Sequence, residues 1–131
     1  MTDGDFARAF ENGAIPPADF HHRDHLRLAW AYLEGCESAD EATARIAAAV
    51  KRFAASIGKA DKYHETITVF WMRVMAAARG ALPAGSGFDD LLNRDPRLLD
   101  KDMPLAYYSR ERLFSEAARA EWVAPDLRPL D

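Results

Sequence analysis

The chain has 131 residues, of which 49% are apolar and 29% are charged, so a single domain over residues 1–131 with one hydrophobic core is expected. A formal charge of −4 and an isoelectric point near 5.5 argue against nucleic acid as a main partner, because binding phosphates requires a basic surface. The apolar runs are too short to cross a bilayer, the N-terminus lacks a signal-peptide pattern, and the single cysteine cannot form an internal disulfide. We therefore predict a cytoplasmic protein with no membrane partner.

Helical periodicity dominates the sequence, and no segment alternates with the period of a strand. Glycines and prolines mark the expected ends of the helices, and Ser38 and Ser109 are candidate N-caps. The predicted helices cover Asp3–Glu11, Ala18–Glu34, the segment after Ser38 to Ile57, a segment that begins between Asp61 and Thr66 and ends at Arg79, and Arg110–Trp122. Short helical pieces are expected near residues 88–93 and 96–100, followed by an extended tail over residues 123–131. The predicted fold is an all-α, compact single-domain bundle of about five main helices with short connections.

Three of the four histidines lie in one short segment, FHHRDHLRLAW, and the fourth lies in KYHETIT. Placed on a helix that begins at Ala18, His21, His22 and His25 share one apolar face. His64 falls near the start of the fourth predicted helix, on its apolar line. The positive end of a helix macrodipole disfavours imidazolium, so these rings are predicted to be neutral at pH 7.

A neutral imidazole is the form that binds a metal ion. Two imidazoles from one helix and one from another would leave a coordination position open for water or substrate. The leading hypothesis is therefore a metal-dependent enzyme for a small molecule, an anion being one candidate. Its metal would be zinc, iron, nickel or copper, held by His21, His22, His25 and His64.

Two other readings stay open at this point. The first is a metal-free acid–base enzyme, such as an isomerase, lyase or cyclase, in which His25 or His64 is the base and Glu65 is the nearest carboxylate. Tyr108 could present its phenol to the same pocket. The second is a non-enzymatic module that binds a small ligand or a protein and has structural histidines. A homodimer through the alanine-rich third helix is a further hypothesis, and the reaction class is not determined.

The motifs FHHRDHLRLAW, KYHETIT and AYYSRERL, with the closing WVAPDL, resemble a family of small uncharacterised bacterial proteins. The likeness runs from Phe20 to Leu127 and implies no established activity or cofactor. The arrangement is also loosely similar to helical-bundle metalloproteins of the DinB/YfiT type, in which histidines from separate helices hold a divalent metal. The HHxxH spacing does not reproduce their sequence motif, so this second likeness is an analogy in the arrangement of histidines on helices and not a motif match.

Overall fold

A computed structural model describes residues 1–130, and this range contains helices and no strands, which confirms the all-α prediction. Five of the helices have at least seven residues, and the fifth of them covers residues 88–94, where only a short helical piece was predicted. None of the helices in this range is both long enough and apolar enough to cross a membrane. The helices are α1 (Asp3–Glu11), α2 (His22–Gly35), α3 (Ala39–Ser56), α4 (Glu65–Gly80), α5 (Phe88–Arg94), α6 (Arg110–Leu113) and α7 (Glu116–Ala120).

Helix α2 is the centre of the core, and α1, α3 and α4 all pack against it. Leu26 and Leu28 of α2 have no exposed surface, and Trp71 of α4 is 2% exposed. Each such side chain contributes about 1.5–3 kcal/mol through its burial. The α2–α4 contact therefore fixes how the first turns of these two helices lie relative to each other.

The second helix begins at His22, so the predicted start at Ala18 is wrong. The prolines place a short 3-10 turn, Pro17–Asp19, before it. His21 follows in an extended conformation and is the N-cap, where its backbone N–H donates to the Asp24 carboxylate at 3.0 Å. His21 therefore lies outside the helical face that His22 and His25 occupy.

The predicted last helix, Arg110–Trp122, is also wrong, because it is divided into α6 and α7. Ser115 causes the break: its hydroxyl accepts from the Ala118 backbone N–H at 3.1 Å and donates to the Arg112 carbonyl at 2.7 Å. A side chain that bonds its neighbours in this way ends one helix and caps the next.

The segment after α7 has no regular secondary structure as far as Leu130, and Asp131, the last residue of the predicted tail, lies outside the described residues. The Thr66 hydroxyl at the start of α4 donates to the Glu121 carbonyl at 2.8 Å and accepts from the Val123 N–H at 3.1 Å. The Thr66 side chain therefore attaches the start of the tail to α4.

Candidate functional site

A cavity of about 370 Å³ lies between the start of α2, the second half of α3 and the start of α4. His25 and His64 both line it, so the structure brings together the two histidines predicted to be catalytic. Most of the other lining side chains are apolar. The complete set is Phe20, His25, Val50, Phe53, Ala54, Ile57, Lys59, Lys62, Tyr63, His64, Ile67 and Thr68.

One wall of this cavity, here called the His25 cavity, is aromatic. The rings of Phe10, Phe20 and Phe53 pack on one another with centroid separations of 4.7–5.3 Å. The Phe20 ring also meets the His25 ring edge-on, with centroids 6.1 Å apart and planes at 82°. His25 therefore stands among apolar groups, although its own ring is polar.

The His25 ring makes no hydrogen bond to any of the described residues, in contrast to the rings of His22 and His64. Burial, with a smaller contribution from the nearby His22, lowers the pKa of His25 to about 4. The ring is therefore neutral at pH 7, with one N–H donor and one lone-pair acceptor. His25 is half-buried and lines the cavity, so these two unpaired ring nitrogens are a candidate contact for a ligand.

His64 is 8% exposed and uses both of its ring nitrogens. Nε2 donates to the Leu113 carbonyl at 2.6 Å, and Nδ1 accepts from the Ile67 backbone N–H at 3.1 Å. His64 is thus the N-cap of α4 and connects that helix to α6. Burial lowers its pKa as well. For both cavity histidines the pKa is lowered in the direction that was predicted, with burial as the largest cause.

The other two histidines do not line the cavity. His22 Nε2 donates to the Leu98 carbonyl at 2.8 Å, and the His22 ring lies 4.6 Å from the Trp71 ring. His21 is exposed at the N-cap of α2. The structure therefore separates the four predicted metal ligands into a pair at the cavity and two histidines elsewhere.

The donor set does not fit the expected zinc, iron, nickel or copper site. In residues 1–130, no group of three or more histidine, cysteine, aspartate or glutamate side chains is placed to hold a metal ion. His64 would also have to break a backbone hydrogen bond before either nitrogen could coordinate. The metal site stays a prediction, and the geometry of these side chains gives it no support.

The predicted catalytic residues Glu65 and Tyr108 both lie off the cavity. Glu65 accepts a hydrogen bond from the phenol of Tyr63 at 2.6 Å, and Tyr63 lines the cavity. Glu65 is therefore connected to the cavity through Tyr63, whose pKa is raised chiefly by burial. The fully buried Tyr108 donates to the Val123 carbonyl at 2.7 Å and holds the tail, and burial raises its pKa to about 12.

Sequence reasoning did not assign Lys59, Lys62 or Phe53 to the site. Phe53 lies in the last turn of α3, and Lys59 and Lys62 follow that helix. They reach the cavity because α3 packs on α2 and the turn that carries Lys62 packs on α3. The sequence does contain one relevant signal: three of the four lysines of the chain fall within residues 51–62.

A second cavity, of about 310 Å³, lies beneath the tail, but its charged groups already have partners. Arg97 forms an ion pair with Asp95 at 3.0 Å, and the Arg128 guanidinium lies 4.7 Å from the centre of the Tyr107 ring. None of its lining residues is a histidine. The His25 cavity is the better candidate because its polar groups include one without a protein partner.

In comparisons with protein-family models, with curated proteins and with solved structures, nothing matches this chain. The resemblance to the family of small bacterial proteins therefore stays a prediction. The function of the cavity has to be inferred from the chemistry of the side chains that line it.

Proposed function

We propose that the His25 cavity binds a small molecule and that His25 exchanges a proton with it, without a metal ion. The proposal rests on one observation: His25 presents an unpaired donor and acceptor on the wall of a largely apolar cavity. Ligand sites typically combine apolar walls with a few polar groups that orient the ligand. A volume of about 370 Å³ is in the lower part of the usual range for such sites.

The proposed chemistry needs only side chains of this chain. The neutral His25 ring accepts a proton from the ligand at its free nitrogen and returns it at another position, as an isomerase does. Tyr63 supports this reaction, because its proton is directed to Glu65 and its oxygen can still accept a hydrogen bond from the ligand.

A second candidate is a binding protein without turnover. It is favoured by the apolar surroundings of the His25 ring, because burial lowers its pKa to about 4 and makes it a weak base at neutral pH. In this case, His25 would orient the ligand by hydrogen bonds alone. A cytoplasmic location and a homodimer through α3 are further parts of the proposal, each separable from the chemistry of the cavity.

The binding step is tested with octan-1-ol, a neutral probe that has one hydroxyl group. We expect the ¹⁵N resonances of the His25 ring to shift on its addition and those of the exposed His21 to stay unchanged. An Ile57→Trp variant, which fills the cavity from α3, should abolish the shift while the protein stays folded. An unchanged His25 signal, or an equal shift in the filled variant, would contradict binding at this site.

The proton-exchange step is tested with 2-octanone in D₂O, by following deuterium uptake next to the carbonyl by NMR. We expect uptake with the wild-type protein, loss in His25→Phe, and retention in the control variant His21→Phe. Binding of the probe without any deuterium uptake would favour the binding protein over the enzyme.

A further inference from the structure

The lysines of this chain are concentrated beside the His25 cavity. Three of the four, Lys51, Lys59 and Lys62, lie within twelve consecutive positions of a chain whose net charge is −4. Lys59 and Lys62 line the cavity. The ammonium group of Lys51 lies 5.1 Å from the centre of the Tyr63 ring, and Tyr63 also lines the cavity.

These lysines form no ion pair with an acid among the described residues. No aspartate or glutamate is among the lining residues of the cavity. Within residues 1–130, none of the ion pairs includes a lysine. Glu65 is engaged by the Tyr63 phenol, and Asp61 is exposed on the 3-10 turn that carries Lys62. This side of the cavity therefore carries more positive than negative charge, with three lysines against Asp61 and Glu65.

Building on the proposed function, we infer that the ligand is a small amphiphilic monoanion with an apolar body and a carboxylate head. The head lies at the lysine edge, and the body lies against Phe53 and Ile57. Lysine suits this task, because its ammonium group is a mobile point charge that needs no fixed geometry from the anion. A negative charge in the cavity also favours the protonated form of His25, which strengthens it as a base when the ligand is bound.

The test compares three probes that differ only in the head group: octanoate, octan-1-ol and octylamine. Calorimetric titration at pH 7 and low salt should show octanoate binding at least about tenfold more tightly than octylamine. The double variant Lys59→Met/Lys62→Met should weaken octanoate binding about tenfold and leave octan-1-ol unchanged. A tenfold effect corresponds to two exposed charge contacts of modest strength.

Lys101 provides the control, because it is the remaining lysine and is exposed on a turn outside the cavity. Lys101→Met should leave the affinity for octanoate unchanged. Thermal unfolding of each variant establishes that the replaced lysines do not hold the fold. Raising the salt concentration should weaken octanoate binding to the wild type more than to the double variant.

The outcomes separate this inference from the proposed function. The inference that the ligand is a monoanion is overturned by either of two results. One is that octanoate and octylamine bind equally well, and the other is that Lys101→Met weakens octanoate binding as much as the double variant. In those cases, the proposed function still stands if octan-1-ol shifts the His25 resonances. If none of the probes binds, both proposals fail.

Discussion

The starts of α2 and α4 each place a histidine on the same cavity, and the two rings have opposite hydrogen-bonding states. His64 uses both nitrogens within the protein, one to cap its own helix and one to contact α6. His25 uses neither within the described residues, and its ring lies against Phe20. The difference indicates that the buried His64 supports the fold because the backbone supplies its partners, whereas the half-buried His25 has no such partner and is available to a ligand.

Replacing His64 is expected to have the largest effect on stability. His64→Ala removes the cap of α4 and leaves the Leu113 carbonyl without its donor, so we expect a loss of about 3–4 kcal/mol. Urea unfolding at pH 7 measures this loss. His25→Ala should cost about 1 kcal/mol, because it breaks no hydrogen bond within the protein. An equal loss of unfolding free energy in His64→Ala and His25→Ala would contradict the conclusion that only the His64 ring supports the fold.

Acidification should lower the free energy of unfolding, chiefly through the protonation of His25 in the unfolded chain. Its pKa is about 4 in the folded protein and near 6.5 in the unfolded chain, so the unfolded state binds more protons between these values. The stability contribution is fully present above pH 6.5, and up to about 3 kcal/mol is lost as the pH falls to 4. His64 acts in the same direction, since burial also lowers its pKa.

Unfolding free energies measured from pH 7 to pH 4 test this prediction. His25→Phe should flatten the profile relative to the wild type, whereas His21→Phe should leave it unchanged. A His25→Phe profile as steep as that of the wild type would show that other groups cause the acid sensitivity.

The Thr66 hydroxyl, close to His64 in the chain, also bonds the backbone and is expected to stabilise the fold. Thr66→Val removes the partner of both the Glu121 carbonyl and the Val123 N–H, so a loss of about 2 kcal/mol is expected. Thr43→Val is the matched control, because the Thr43 hydroxyl donates only to the Ala39 carbonyl of its own helix. Its effect in thermal or urea unfolding should stay below about 0.5 kcal/mol. Equal losses would show that the contact with the tail adds nothing.

His21 should give the smallest effect. It is exposed at the N-cap of α2, and the bond to Asp24 at this cap uses its backbone N–H rather than its ring. We expect His21→Ala to change the unfolding free energy by less than about 0.5 kcal/mol. A larger loss would show that the ring itself stabilises the start of α2.

Much of the fold could be predicted because its signals are local. The predicted α1 has the observed bounds, and Ser38 caps α3 by accepting from the Glu41 N–H at 3.0 Å. The start of α2 and the break at Ser115 were missed because the periodicity continues through them. At Ser115 a short-range side-chain bond ends the regular geometry, and before α2 the prolines place a 3-10 turn, although the apolar pattern permits a helix in both places.

The candidate site was predictable only in part. The helical faces placed His21, His22, His25 and His64 in one site, and of these only His25 and His64 line the cavity. They could not show which ring is free, because the partners of His64 and His22 are the carbonyls of residues 49 and 76 positions away in the chain. The approach of Lys59 and Lys62 likewise depends on the packing of α3 on α2.

The Thr66 bond to the tail also has a consequence for hydrogen exchange. Amides in segments without regular structure usually exchange quickly with solvent, but the Val123 N–H is held by Thr66 and the Leu127 N–H by the Tyr107 carbonyl at 2.9 Å. These two amides should exchange more slowly than their neighbours in the tail. Because Thr66 precedes the cavity residue Ile67, the exchange rate of Val123 becomes a remote reporter of opening at the start of α4.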